Sequence, residues 1–228
     1  MTTSGTTAFS LDLTEVVETA YERAGSELRS GYDLRKARRA LNLMFVEWAN
    51  RGLNMWTFEE ASVDLVEGTA SYTLPTDTVD VLSAVVRTNA GVEATQADLT
   101  ITRISLPTYL SMPNKLQQER PLNYLVVRST AAPSITLWPV PDQTDTYQFV
   151  YWRLRRIQDA GDGVETPDVP FRFLPVLIAG LSYYLALSDP QLVDRMGMLK
   201  AIYDEEWVRA SDEDRDKSSV RFVPRVLR

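Results

Sequence analysis

The sequence predicts an α+β fold: a four-helix bundle built from both ends of the chain, with an inserted antiparallel β module that is sandwich-like or barrel-like. Apolar residues recur three and four positions apart in residues 11–55 and again in residues 170–211, which is the period of a helix with one buried side. Residues 56–158 instead hold short, partly alternating β-branched runs between turn residues. Helices at both ends of a chain most economically close into one bundle, so we expect the middle to project as an insertion.

The first helix is predicted to follow a flexible N-terminal arm of residues 1–10. Asp12 and Glu15 have the spacing of a capping box, in which each side chain bonds the backbone N–H of the other residue. We expect this helix to continue to about Arg29, where a serine–glycine pair interrupts the apolar period.

The second helix is predicted to begin at Asp33 and to end at Gly52, with the glycine in a left-handed conformation. Its buried face consists of apolar residues at helical spacing: Leu34, Ala37, Leu41, Met44, Phe45 and Trp48. Leu43 and Val46 fall on the opposite face, beside Arg39. A helix that buries only one side does not need apolar residues there, so we expect this helix to contact a second surface besides its own core.

The β module is predicted from its β-branched runs and from the Gly, Pro and Asn turn signals between them. The predicted strands are residues 63–66, 71–74, 79–88, 99–104, 122–128, 134–138 and 147–155. A short helical turn is expected around Tyr109. Many short strands within about a hundred residues favour a small antiparallel sandwich or barrel.

The C-terminal helices follow a predicted linker loop at residues 159–169. Residues 170–187 are apolar on nearly every side, which predicts the central helix of the bundle rather than a surface helix. Their apolar run is too short and too interrupted for a bilayer span, so no membrane association is predicted. The last helix is predicted to begin at Asp189, and residues 212–228 to form an extended tail.

The composition excludes several kinds of chemistry. The chain has no cysteine and no histidine, which removes disulfides, thiol catalysis, the common serine triad and the commonest metal ligand. We therefore predict no catalytic residues, no metal site and no cofactor. The formal charge of −7 argues against a protein that coats nucleic acid, because such domains are usually basic.

Acidic residues cluster at Glu59 and Glu60, at residues 204–206 and at residues 212–216. A pair of carboxylates could hydrolyse a glycan, but contiguous acids on a helix point in different directions. A solvated face is the simpler interpretation.

A basic cluster at the start of the second helix contains Arg35, Lys36 and Arg39. The helix macrodipole disfavours cations there. A solvated face is again the simpler interpretation, and the functional one is a contact with an acidic neighbouring subunit or a nucleic-acid backbone. The large aromatic residues are predicted to lie in the core and at the junction of the two modules: Trp48, Trp56, Phe58, Trp138 and Trp152.

Four segments together resemble one known family. In order they are ALNLMFVEWANRGLNMWTFEE, a strand that ends LPTD, ITLWPVPDQTDTYQFVYWRLR and PDVPFRFLPVLIAGLSYYLAL. This combination is similar to the head-to-tail adaptor, or connector, proteins of short-tailed bacteriophages, the tail tubular protein A-like family. The resemblance spans roughly residues 12–210 and includes no catalytic motif.

The resemblance implies a structural virion protein of the neck and tail region, made in the host cytoplasm. Family members form a ring, expected here to be a dodecamer, that joins the portal protein to the tail nozzle protein. The ring extends the channel for double-stranded DNA during ejection, without sequence-specific contact. The resemblance also implies that the helical part forms the body of the ring and that the β module forms its outer part. Subunit or portal contacts are then expected on the second helix, at Arg35, Lys36, Arg39, Leu43 and Val46.

The tail is the other candidate contact. Its end is basic and partly apolar, through Arg221, Phe222, Val223, Arg225 and Arg228. Such a segment buries too little surface on its own body to offset its ordering entropy. We expect it to order on the portal or on an adjacent subunit, as a strand or in a groove. A frayed terminus without a role is the alternative.

Two other classes of function stay open. A binding module for a host glycan or protein would use the β module, with the helices as a stalk. A carboxylate-based glycan hydrolase would need two acidic side chains that face each other across a cleft.

Overall fold

The computed structural model of the chain describes residues 5, 11–29, 31–52, 55–162 and 164–214. It is a mixed α+β structure with two sheets and, within those residues, five helices. The described residues up to Trp56 and from Ile157 onward form one compact unit, here called the helical unit. Thr57–Arg156 form the other, the β unit. The finer predicted division into arm, linker and tail stays a prediction.

The helices are α1 (Leu13–Ala24), α2 (Gly31–Arg51), α3 (Leu106–Ser111), α4 (Leu174–Leu187) and α5 (Val193–Glu213). Short 3-10 turns lie at Met55–Thr57, Phe171–Phe173 and Pro190–Leu192. The predicted helical turn around Tyr109 is therefore confirmed as α3.

The predicted capping box of α1 is present, with the Glu15 amide 2.8 Å from the Asp12 carboxylate and the Asp12 amide 3.1 Å from the Glu15 carboxylate. The helix ends at Ala24, not at Arg29 as predicted. Gly25 adopts a left-handed φ of 93° and donates its amide to the carbonyls of the preceding turn.

Helix α2 begins two residues before the predicted start. Asp33 therefore lies inside the helix, and its carboxylate accepts the backbone N–H of Arg29 at 3.2 Å. The helix ends at Arg51 as predicted, but Gly52 has a φ of 157°, so the predicted left-handed helical cap is wrong. The last helix begins with a 3-10 turn capped by Asp189, whose side chain accepts the Gln191 amide at 3.0 Å.

Helix α4 contacts α1, α2 and α5, and most of its residues are buried, as its all-round apolar pattern predicted. Gly180 permits close packing, because a Cβ there would lie 2.5 Å from Met44 Sδ and 2.8 Å from a Tyr203 ring carbon. These four helices share one hydrophobic core. The regular bundle geometry itself stays a prediction.

Within the described residues, no single helix is long and apolar enough to cross a membrane. The pair Phe171–Leu187 and Pro190–Glu213, bent by 113°, reaches that threshold together by length and composition alone.

The strands of the β unit are β1 (Phe58–Asp64), β2 (Ser71–Thr73), β3 (Thr78–Thr88), β4 (Ala97–Thr100), β5 (Thr102–Arg103), β6 (Asn123–Val127), β7 (Ser134–Trp138) and β8 (Tyr147–Arg155). They form two four-stranded sheets, in the orders β1-β8-β3-β4 and β2-β7-β6-β5. All neighbours are antiparallel except β5 and β6. Side chains from both sheets form one core.

Two strand predictions need correction. The predicted strand at residues 99–104 is two strands, β4 and β5, which belong to different sheets on either side of the buried Ile101. The predicted strand at residues 63–66 is the end of a longer one, because β1 begins at Phe58.

Ion pairs tie distant segments of the β unit together. Arg153 on β8 is only 6% exposed, and its guanidinium lies 2.6 Å from both Asp77 and Glu59. Asp80 on β3 pairs with Arg103 on β5 at 2.9 Å and with Arg128 at 2.5 Å. Because β3 and β5 belong to different sheets, the Asp80 cluster links the two sheets.

Candidate subunit interface

The exposed side of α2 carries the residues that were predicted to contact a second surface. Tyr32, Arg35, Arg39, Leu43 and Val46, here called the outer face of α2, recur at spacings of three and four residues. Leu43 is 64% exposed and Val46 is 60% exposed, while the predicted inner residues from Ala37 to Trp48 are buried. Two neighbouring apolar side chains on the exposed side of a long helix, next to arginines, form a surface suited to a partner.

The N-terminal half of this face borders an open depression of about 390 Å³. Its described lining is Tyr32, Arg35, Arg38, Arg39 and Asn42. Arg38 is paired with Asp162 at 3.2 Å, and the Asn42 side chain accepts the Ala160 amide at 2.9 Å. The remaining arginines, Arg35 and Arg39, are exposed and give the face its positive charge.

Lys36 does not belong to this face. It is half-buried, and its Nζ donates to the Ser188 carbonyl at 3.3 Å. The structure thus brings together four of the five interface candidates on α2: Arg35, Arg39, Leu43 and Val46. The tail candidates Arg221, Phe222, Val223, Arg225 and Arg228 lie outside the described residues.

The aromatic candidates occupy different places in their own units. Trp48 is fully buried in the helical core, with its ring centroid 5.8 Å from Phe173 and 5.3 Å from Trp207. Trp56 packs on Phe173 at 4.5 Å and donates Nε1–H to the Asp168 carbonyl at 3.2 Å.

In the β unit, Phe58 opens β1 and is half-buried. Trp138 closes β7 and donates to the Asn114 carbonyl at 2.9 Å. Trp152 on β8 is 47% exposed. Their predicted role at the module junction stays a prediction.

A polar network beside Trp48 was missed by the sequence analysis. The Tyr203 hydroxyl donates to the Glu47 carboxylate at 2.6 Å and accepts the Trp48 indole N–H at 2.8 Å. Burial, followed by the hydrogen bond to Glu47, raises the pKa of Tyr203 far above its usual range. Arg51 lies over the rings of Tyr203 and Trp207, 4.7 Å from each centroid. A permanently neutral tyrosine between a carboxylate and an indole holds α2 against α5 and offers no acid–base group at ordinary pH.

The acidic clusters are largely engaged by arginines. Glu59 pairs with Arg153, and Asp204 lies 3.6 Å from Arg51. Glu205 and Glu206 both pair with Arg209 one helical turn away. Among the described residues, no group of three or more acidic side chains is arranged to hold a metal ion. The arrangement favours a structural role for these carboxylates.

Residues 11–225 match the family model described as SU10 adaptor protein, and the chain therefore belongs to this family. No curated protein matches it. Membership makes the chain a bacteriophage structural adaptor, and implies contacts with other head and tail proteins in the neck or tail region of the virion. The finer assignment to the tail tubular protein A-like group stays a prediction.

Proposed function

We propose that this chain is the repeating subunit of a head-to-tail adaptor ring that joins the portal protein to the tail nozzle protein of a short-tailed phage. The observation that carries the proposal is the family match over residues 11–225, nearly the whole chain. Its proposed location is the virion neck, and its proposed stoichiometry is twelve copies.

A closed ring needs two different contact surfaces on each subunit, because head-to-tail contacts are heterologous. The outer face of α2 supplies one of them, through exposed Leu43 and Val46 beside Arg39. The helical unit is then proposed to form the ring body, and the β unit to contact the nozzle protein.

The central opening of the ring continues the DNA channel. Protein affinity for the duplex comes mainly from cations that neutralise phosphates. A subunit with a net charge of −7 is therefore suited to a channel through which DNA slides without being held. This function needs no catalytic group, metal or cofactor.

The basic tail is proposed to dock on the portal or on an adjacent subunit. A chain truncated after Lys217 is expected to fold as the full chain does but to be lost from the portal on washing. Unchanged occupancy of the portal would make the tail a terminus without this role.

Native mass spectrometry of the full chain, alone and mixed with the portal protein, tests the proposal. We expect a portal-bound species that carries a fixed number of copies, with twelve as the proposed value, and a ring in electron micrographs. A chain that stays monomeric and binds no portal would overturn the proposal.

A further inference from the structure

Helix α5 has an exposed face that the sequence analysis did not recognise. Its buried side is made by Leu199, Tyr203 and Ala210. The residues opposite recur at spacings of three and four, and they combine acidic with apolar or small side chains: Asp194, Met198, Ala201, Glu205, Val208 and Asp212, here called the outer face of α5. Met198 is 52% exposed and Val208 is 56% exposed.

Gly197 adjoins this face in the interior of α5, where glycine destabilises a helix relative to alanine. Nothing in the described structure explains the glycine, because a Cβ at this position would meet no atom within 4 Å. Gly180 on α4 is the contrast, since a Cβ there would collide with Met44 and Tyr203. A helix surface without a side chain at Gly197 allows another backbone to approach it closely.

The outer faces of α2 and α5 have complementary character. Exposed Arg35 and Arg39 give the α2 face positive charge, whereas the charged members of the α5 face are acidic. Glu205 is paired with Arg209 within its own helix, but both side chains are largely exposed. Such a surface pair is weak and exchanges readily for a better partner.

The two faces also match in spacing when the helices run antiparallel. Arg39 then lies opposite Glu205, and Leu43 lies opposite Ala201. Val46 meets Met198 beside Gly197. A parallel alignment also pairs an arginine with an acid, because Arg39 can lie opposite Asp194 with Leu43 opposite Met198. Spacing therefore does not set the direction, and the antiparallel choice rests on the helix dipoles, whose opposite ends then lie side by side.

We propose that the outer face of α2 of one copy packs antiparallel against the outer face of α5 of a second copy of this chain. The inference rests on the proposed ring, and it names the two surfaces that a heterologous contact requires. Because the surfaces differ, each copy uses its α2 for one neighbour and its α5 for the other, and the contact propagates around the assembly.

Cysteine cross-linking tests this pairing directly, because the chain has no native cysteine. The full chain carrying Leu43→Cys together with Ala201→Cys is assembled with the portal protein and oxidised. Facing residues of packed helices come within the Cα separation that a disulfide needs. We expect a ladder of covalent multimers, with the 43–201 bond identified by peptide mass spectrometry.

A matched control carries Leu43→Cys with Glu18→Cys, an exposed position on α1. This pair is expected to give no ladder. Mixing the two single variants Leu43→Cys and Ala201→Cys should give covalent dimers only.

The outcomes separate this inference from the proposed ring. Rings on the portal without the 43–201 bond, or with 43–43 bonds instead, would overturn the α2–α5 pairing and leave the ring standing. A chain that forms no multimer with the portal, with or without the cysteines, would overturn both.

Discussion

The helical unit and the β unit both contain ion pairs, but the helical unit has the larger apolar core. In the helical unit, Trp48 lies in a continuous aromatic and aliphatic core with Phe173 and Trp207. In the β unit, a small apolar core is supplemented by ion pairs between distant strands, with Arg153 and Asp80 at their centres. A unit held by burial can leave charged and apolar side chains on its outer helix faces for partners. In the β unit the pairs of Asp77 and Asp80 lower the pKa of those carboxyls, so this unit should lose stability in acid.

The core of the helical unit should be the most sensitive place in the molecule. Replacing Trp48 by Ala removes a fully buried ring and its hydrogen bond to Tyr203. We expect a loss of about 4 kcal/mol in the free energy of unfolding. Guanidinium unfolding followed by far-UV circular dichroism measures it. Trp152→Ala, at a half-exposed site, is the control and should cost less than about 1 kcal/mol. Equal losses would remove the contrast between core and surface tryptophans.

Arg153→Met should be the most damaging charge change in the β unit. The substitution removes the hydrogen bonds to Glu59, Asp77 and the Thr78 hydroxyl. We expect a loss of about 2 kcal/mol, below that for a fully buried pair, because the two half-exposed carboxylates can be hydrated after the change. Hydrogen exchange read by mass spectrometry should place the loss in β1, β3 and β8. Arg87→Met, which breaks the more exposed pair with Asp98, should have a smaller effect.

Acid should weaken the β unit through Asp77 and Asp80. The hydrogen bond from Arg153 lowers the pKa of Asp77. Burial opposes ionisation of Asp80, but Arg103 and Arg128 outweigh it and lower its pKa as well. A lowered carboxyl pKa contributes stability that is present above the unfolded value of about 3.9 and is lost as the pH falls through the folded value.

The Asp80 contribution can be isolated by comparing thermal unfolding at about pH 6 and about pH 3. Asp80→Asn should lower the free energy of unfolding by about 1 kcal/mol at the higher pH. Between the two pH values, the variant should then lose less stability than the wild type. If the variant loses as much stability on acidification as the wild type does, the Asp80 ion pairs do not stabilise the contact between the two sheets.

The smallest expected change in stability is a gain, whereas the substitutions above are all expected to destabilise the protein. Gly197→Ala should raise the free energy of unfolding by up to about 1 kcal/mol, because alanine is the better helix former and its Cβ meets no neighbour. The same substitution should weaken assembly if another helix packs there. Gly180→Ala is the comparison and should destabilise, since its Cβ collides with Met44. Stronger assembly by Gly197→Ala would argue against close approach at α5.

Much of the fold could be predicted from local pattern. The buried and exposed sides of α2 follow from spacing alone, and the strands were found wherever β-branched residues lay between turn signals. The start of β1 was missed because Glu59 and Glu60 do not resemble strand residues until Arg153, 94 residues beyond Glu59, pairs with the first of them. The end of α1 was missed because Leu28 continues the apolar period beyond Gly25 and packs on the core without being helical.

The exposed residues of the candidate interface could be predicted in part, and the interface itself stays a prediction. Leu43 and Val46 stood out because apolar residues on the back of a helix need an explanation. Lys36 lies off this face because it donates to the Ser188 carbonyl, 152 residues away in sequence, which local spacing could not show. The outer face of α5 was not recognised, because its apolar members are separated by acidic residues that also suit a solvated surface. The open space around Gly197, in contrast to the crowded Gly180, became visible only in three dimensions.

The most direct test of assembly through the helical unit combines Leu43→Glu with Val46→Glu. Both side chains are exposed, so the variant should unfold at the same denaturant concentration as the wild type. Two carboxylates at the centre of the outer face of α2 should prevent formation of the portal-bound ring. Native mass spectrometry should then show no portal-bound species of the ring's mass. A variant that still forms the wild-type ring at the same protein concentration would contradict assembly through the outer face of α2.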